Sequence, residues 1–280
     1  MPRRRVVLLA AIALAAFAAN SVLARLALGP NRIDPGTFTA IRLAAGAATL
    51  ALIHRVRSGP VRPRRQNLAG ALLLFLYAAP FSFAYVTLPA GTGALILFGA
   101  VQLTMFSAGL RAGERPAPRE WIGLAAAVAG LVYLNLPGVE AAPLPGFLLM
   151  TTAGVAWGLY SLRGRRAEEP LRLTTESFLW ATPLALLLPA VTPNPHLSPA
   201  GVAAAVASGA LASGVGYAVW YTALPGLKAT RAGMIQQAVP VLAALAGAAL
   251  LSEPVTLRLV LAALLVLGGV AFAVRARSPS

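Results

Sequence analysis

Four amides and two arginines stand inside apolar stretches of this chain: Asn20, Gln102, Gln236 and Gln237, with Arg25 and Arg42. Aromatic residues recur near them at helical spacing. Tyr77, Phe81 and Tyr85 follow every four residues, Trp157 and Tyr160 are three apart, and Tyr217, Trp220 and Tyr221 fall within one turn. Phe98 and Phe106 flank Gln102. Residues three or four apart share one face of a helix. Such a set can hold a solute by stacking and a few hydrogen bonds. Bond-making chemistry has no comparable set. There is no H-E-x-x-H, no paired Asp and no Gly-rich phosphate loop, and cysteine is absent. Ser107 and Ser161 have no His near in sequence. The chain is therefore expected not to be an enzyme and to need no cofactor.

Each group also has a plainer use. Tyr and Trp collect at membrane interfaces, which suits Trp121, Phe147 and Tyr133 at the ends of apolar runs. Tyr77, Phe81, Trp157 and Tyr217 lie within their runs. A buried phenol or indole wants a hydrogen-bond partner that lipid lacks, so these four face either a wet cavity or neighbouring helices. The amides bond either another helix or a passing solute, since an unsatisfied amide in hydrocarbon costs several kcal/mol. Gln236 and Gln237 point about 100° apart on a helix, so each use can claim one. Arg25 is placed to snorkel to the membrane surface. Arg42, about 10 Å beyond Pro35 at 1.5 Å per residue, is either a structural clamp or an attractor of anionic groups. No His, Asp or Glu is expected deep in a span, with Glu176 placed near the start of the seventh. This argues against a simple buried proton relay.

The elements that must position these residues follow from composition. The chain is 58% hydrophobic and 11% charged, about half the charge of a soluble domain. Its apolar runs, roughly twenty residues long, suit helices crossing about 30 Å of hydrocarbon. Ten spans are predicted, at 6–28, 35–54, 68–87, 92–110, 120–136, 146–162, 174–191, 199–222, 230–251 and 256–274. The first resembles a cleavable signal, but the apolar run continues to Leu28 and is expected to stay. Nineteen Lys and Arg fall on one set of alternating loops, and only Arg32 and Arg258 on the other. Positive-inside topology then puts both termini in the cytoplasm. The same rule accounts for a net charge of +15 without nucleic acid. The partners expected are the lipid bilayer and a small-molecule substrate.

Residues 113–134, GERPAPREWIGLAAAVAGLVYL, align with 252–273, SEPVTLRLVLAALLVLGGVAFA, matching Glu114 to Glu253 and Gly130 to Gly269. Leu88-Pro89 matches Leu224-Pro225. Two halves, 1–138 and 139–280, each with five helices, must enter the membrane from opposite sides. Inverted repeats of this kind place a substrate site near the midplane. Gly109-x-x-x-Gly113 and Gly154-x-x-x-Gly158 are expected to admit close helix contacts. Pro80, Pro183 and Pro240 are expected to kink their helices. Pro240 would free carbonyls beside Gln236 and Gln237, making the ninth span both wall and bending element.

Ten helices, the five-plus-five duplication, the E-x-P-type ends of the fourth and ninth spans and Arg42 in FTAIRLAAGA together resemble the EamA family of the drug/metabolite transporter superfamily. The aromatic-rich pathway looks most like the family's YddG-type exporters of amino acids. The resemblance implies export from the inner (plasma) membrane. The expected site comprises Asn20, Tyr77, Phe81, Tyr85, Phe98, Gln102, Trp157, Tyr160, Tyr217, Trp220, Tyr221, Gln236 and Gln237, with Arg42, Pro80 and Pro240 as gating or structural elements. The lining suits neutral or aromatic amino acids carried by alternating access as a facilitator. Proton-coupled drug or metabolite antiport is the alternative. A membrane-embedded enzyme or a non-transporting scaffold stands further off.

Overall fold

Proline opens several helices, where its missing N–H would be unpaired anyway. Pro35 follows the N-cap Asp34, whose Oδ1 accepts the Thr37 N–H at 2.8 Å. Pro199 follows Ser198, whose hydroxyl accepts from Gly201 N–H at 3.1 Å. Pro170 opens a third helix. The computed structural model describes residues 3–61, 67–113, 115, 118–136, 141–165, 167–223 and 236–275. These form ten helices: α1 (Arg3–Leu28), α2 (Pro35–Ser58), α3 (Leu68–Ala84), α4 (Ala90–Arg111), α5 (Pro118–Asn135), α6 (Leu144–Arg165), α7 (Pro170–Ala185), α8 (Pro199–Ala223), α9 (Ala238–Leu251) and α10 (Leu257–Arg275). Among them α1, α2, α4 and α8 are individually long and apolar enough to cross a membrane. The expected LPGLKATR turn, and residues 230–235 of the ninth span, lie outside the described residues.

Two spans depart from expectation. The seventh begins at Pro170, not at 174, and breaks after Ala185 before a short helical turn, Leu188–Val191. Pro183 lies two residues before the break and removes a backbone donor there. In the eighth, Ser208–Val215 is wound as a π-helix between two α-helical ends. Its small residues, SGALASGV, let the widened turn lie against α2, and π segments of this kind recur at functional sites.

The helices pair with the symmetry of the duplication. α2 packs on α7, α4 on α9 and α5 on α10, each on its own counterpart. The other main contacts come in exchanged pairs: α3·α6 with α8·α1, α4·α6 with α9·α1, and α3·α7 with α8·α2. At α5·α10 the symmetry holds residue by residue. A Cβ on Gly130 would meet Ala262, Leu265 and Val266, and one on Gly269 would meet Gly123, Ala126 and Ala127. The two sets correspond at the same 139-residue offset as the glycines themselves. Residue numbers rise along α5 as those of its neighbours fall along α10, so the two helices run antiparallel. The fold is all-α, with ten transmembrane helices in two inverted five-helix repeats. Its outward surface carries large apolar side chains, among them Leu8, Leu52, Leu72, Ile122, Leu148 and Leu264, as lipid contact requires.

Candidate substrate pathway

Where α3, α6, α7 and α8 converge, their aromatic residues pack into one buried cluster. The Trp157 ring lies 4.9 Å from Tyr77, 5.2 Å from Tyr217 and 5.6 Å from Tyr160, on which it stacks. Phe81 joins Tyr77 at 5.4 Å and Tyr85 at 4.7 Å. Phe178 and Phe17 meet Tyr217 edge-on, and Phe17 also meets Trp220. Offset and edge contacts like these exploit the ring quadrupole and add about 0.5–1.5 kcal/mol per pair beyond burial.

Arg42 reaches this cluster from α2. Its guanidinium carbon stands 4.5 Å from the Phe81 ring centre and 5.2 Å from that of Tyr77. Nη2 donates to the Tyr77 hydroxyl at 2.9 Å. Asn20 Nδ2 donates to the same hydroxyl at 3.3 Å, and Asn20 Oδ1 accepts from Ser208. Asn20 thus bridges α1, α3 and the π segment.

The face opposite the termini is tied across the two halves. Arg25 Nε donates to Glu253 Oε1 at 2.9 Å, and Nη1 to the carbonyls of Tyr85 and Val86 at 3.2 and 3.0 Å. Glu253 Oε2 accepts the Ala90 N–H at 2.8 Å. Arg25 therefore does not snorkel, because a carboxylate and two carbonyls at the helix ends take up its donors. On the same face the loop before α2 pairs with the loop before α8. Asp34 N–H donates to the His196 carbonyl at 3.0 Å and Ser198 N–H to that of Arg32 at 2.8 Å.

The EamA-like transporter family matches this chain twice, over residues 4–136 and 144–275. The chain belongs to this family. An uncharacterized protein of Pseudomonas aeruginosa is 53% identical over 97% of this chain and 95% of that one. Uncharacterized transporters of Archaeoglobus fulgidus and Bacillus subtilis (YoaV) are 28% and 20% identical, over 72% and 87% of this chain and 74% and 88% of theirs. A solved crystal structure superposes with a TM-score of 0.69 at 23% identity, covering 95% of this chain and 97% of that one, which bears on the fold alone. This EamA-like protein is a multi-pass membrane transporter rather than an enzyme.

Within the transporter, the sequence-predicted residues do not all come together. Tyr77, Phe81, Tyr85, Trp157, Tyr160, Tyr217 and Trp220 are all buried, and Tyr221 is half-buried. Seven of these eight join through ring contacts. Tyr221 lies beside Gly164. Phe98 is buried in α4 and Gln102 is half-buried on it. Gln237, buried just before α9, has neither amide atom hydrogen-bonded among the described residues, and Gln236 is half-buried beside it. Pro80 lies inside a continuous α3. Around Pro240 the helix is interrupted: Gln236 is helical, Gln237 forms a turn and α9 resumes at Ala238, where the proline removes the backbone donor that would reach the Gln236 carbonyl.

Several features escaped the sequence reading. Gly154 and Gly158 do press on α4, at Ala100 and Thr104, but Gly113 stands past the end of α4 at φ +83° and meets nothing. An apolar cavity of about 400 Å³ between α4, α5 and α6 is lined by Leu103, Val128, Leu131, Val132 and Phe147. None of the predicted site residues lines it. Ser208, Phe17 and Phe178 support the cluster without having been singled out. Glu176 is fully buried, contrary to expectation. Because α7 starts four residues early, this carboxylate sits about 9 Å along the helix at 1.5 Å per residue. Arg172 donates to it at 2.9 Å, and Asn67 approaches from the start of α3.

Proposed function

We propose that this chain is a secondary transporter exporting small amphipathic metabolites, foremost neutral or aromatic amino acids. It works by alternating access between its halves, 1–138 and 139–280, in an inner membrane with both termini cytoplasmic. The observation that carries the reading is the aromatic cluster: Tyr77 on α3 of one half meets Trp157 on α6 of the other, and Trp157 in turn meets Tyr217 on α8. Rings offer stackable surface tolerant of varied side chains, and their place at the junction of the repeats is where relative motion would open them.

Counterflow in proteoliposomes, with a panel of amino acids, drugs and sugars, tests the proposal. Solute-dependent flux is expected for aromatic and neutral amino acids, and no flux for any solute would remove the transport reading. Tyr77→Ala and Trp220→Ala should each change the ranking of solutes, read as competition ratios, while the protein stays monodisperse. An unchanged ranking would leave these rings as packing only.

Facilitated diffusion is the primary mode. Glu176 supports a second one, proton antiport, since a carboxylate at this depth can serve as a coupling group. It is faced by Arg172 on its own helix and by Asn67 from α3, and Glu169 also pairs with Arg172. Under antiport, Glu176→Gln should abolish the response of flux to an imposed pH gradient and spare exchange at equal pH. If wild-type flux ignores the gradient, the facilitator stands.

A further inference from the structure

Arg42 is 1% exposed, and its Nε and Nη1 have no hydrogen-bond partner among the described residues. The salt bridges found among those residues involve Arg25 and Arg172, not Arg42. A cation that is desolvated, permanently charged and without a counter-ion is strongly disfavoured. The Tyr77 and Phe81 faces offset part of that cost, and the Tyr77 hydroxyl satisfies one donor. Two nitrogens remain that only an acceptor can satisfy, and an anionic acceptor would also cancel the charge. The held geometry is poor for a purely structural clamp. Arg42 ties α2 to α3 through one side-chain bond and leaves most of its donor capacity unused.

We propose that Arg42 receives the carboxylate of the transported solute, with the adjoining rings of Tyr77, Phe81 and Trp157 taking its apolar body. The inference rests on the transport reading above and narrows it to organic carboxylates carrying an apolar or aromatic group. Arginine suits the task because its planar fork pairs with carboxylates and its charge does not titrate. The rings beside it explain why the companion surface is stackable rather than polar.

The test compares four probes on the wild-type protein: L-phenylalanine, 3-phenylpropionate, L-phenylalaninamide and phenethylamine. The first two carry a carboxylate and the last two do not. Flux is measured by counterflow, and binding by tryptophan fluorescence of the purified protein, since Trp157 lies in the cluster. The expected result is that both carboxylates bind and compete at least about tenfold better than the two probes lacking one. Arg42→Gln, checked for monodispersity, should erase that ratio, and Arg42→Lys should keep part of it. Equal handling of all four probes by the wild type overturns the proposal, as does an unchanged ratio in folded Arg42→Gln. Carboxylate-selective binding without flux would keep the site and remove the transport reading. Flux without carboxylate selectivity would do the reverse. Should Arg42→Gln fail to fold, the wild-type comparison decides alone.

Discussion

Replacing Arg25 by alanine is expected to loosen the face opposite the termini, and to speed thiol labelling of a reporter cysteine at Ser21 by about an order of magnitude or more. Arg25 and Glu253 organise four bonds there, joining the end of α1 and the α3–α4 turn to the α9–α10 connection. The first two belong to one half and the third to the other, so the tie crosses the boundary that alternating access would part. The side chains are 24% and 13% exposed. A fully buried pair loses about 3–5 kcal/mol when one partner is removed, and an exposed pair is worth under about 1 kcal/mol. Partial exposure puts this one at about 1–3 kcal/mol. At 1.4 kcal/mol per tenfold, that shifts a closed–open equilibrium by about five- to 150-fold. Alanine also leaves the Glu253 carboxylate near the Tyr85 and Val86 carbonyls with no cation between. Glu253→Gln should have a smaller effect, because its amide oxygen can still accept from Ala90 N–H. The chain has no cysteine of its own, and Ser21 is 2% exposed on α1, so Ser21→Cys reports opening from a silent background. Labelling at the wild-type rate in Arg25→Ala would show that the ion pair does not hold this face shut.

The architecture was legible because its determinants are local or repeat themselves. Apolar run length places ten helices, and the match of Gly130 to Gly269 marks the duplication, whose inversion the α5·α10 contact demonstrates. The clustering of Tyr77, Trp157 and Tyr217 follows from their positions within spans, where a phenol or indole must turn away from lipid. What stayed hidden was pairing across the fold. Arg25 and Glu253 are 228 residues apart, and an arginine near a helix end looks the same in sequence whether it reaches lipid headgroups or a distant carboxylate. The depth of Glu176 was missed for another reason. Apolar residues alone mark the span from 174, but the helix starts at Pro170, and Arg172, one turn before Glu176, makes the buried carboxylate tolerable. Widening to a π-helix at Ser208–Val215 leaves no periodic trace, because Gly, Ala and Ser suit close packing in either geometry. Arg42 was visible as an anomaly in an apolar helix. Its two unpaired nitrogens depend on which neighbours α3 and α8 present, which no spacing encodes.

Gly209→Ala is expected to destabilise the protein by about 3 kcal/mol and to lower flux further than the loss of folded protein explains. Gly209 lies in the π segment, where α8 crosses α2. A Cβ there would run into the Arg42 carbonyl oxygen, with the Arg42 carbonyl carbon at 2.9 Å and Ala45 Cβ at 3.0 Å. The first two obstacles are backbone, so no rotamer change relieves them and the helices must separate. Overpacking a filled interface costs about 1–3 kcal/mol, occasionally more, and an obstacle that cannot rotate belongs at the upper end. The displacement falls on the turn that carries Arg42, so the guanidinium would shift against Phe81 and Tyr77. Gly268→Ala supplies the control. That glycine has nothing within 4 Å of its would-be Cβ, and alanine in an exposed helix interior is favoured over glycine by about 0.8–1.0 kcal/mol. The two substitutions add the same methyl group, so opposite changes in melting temperature in detergent would isolate packing from propensity. A Gly209→Ala protein that melts with the wild type would mean that α2 and α8 do not approach each other this closely, and that Arg42 is not held by their contact.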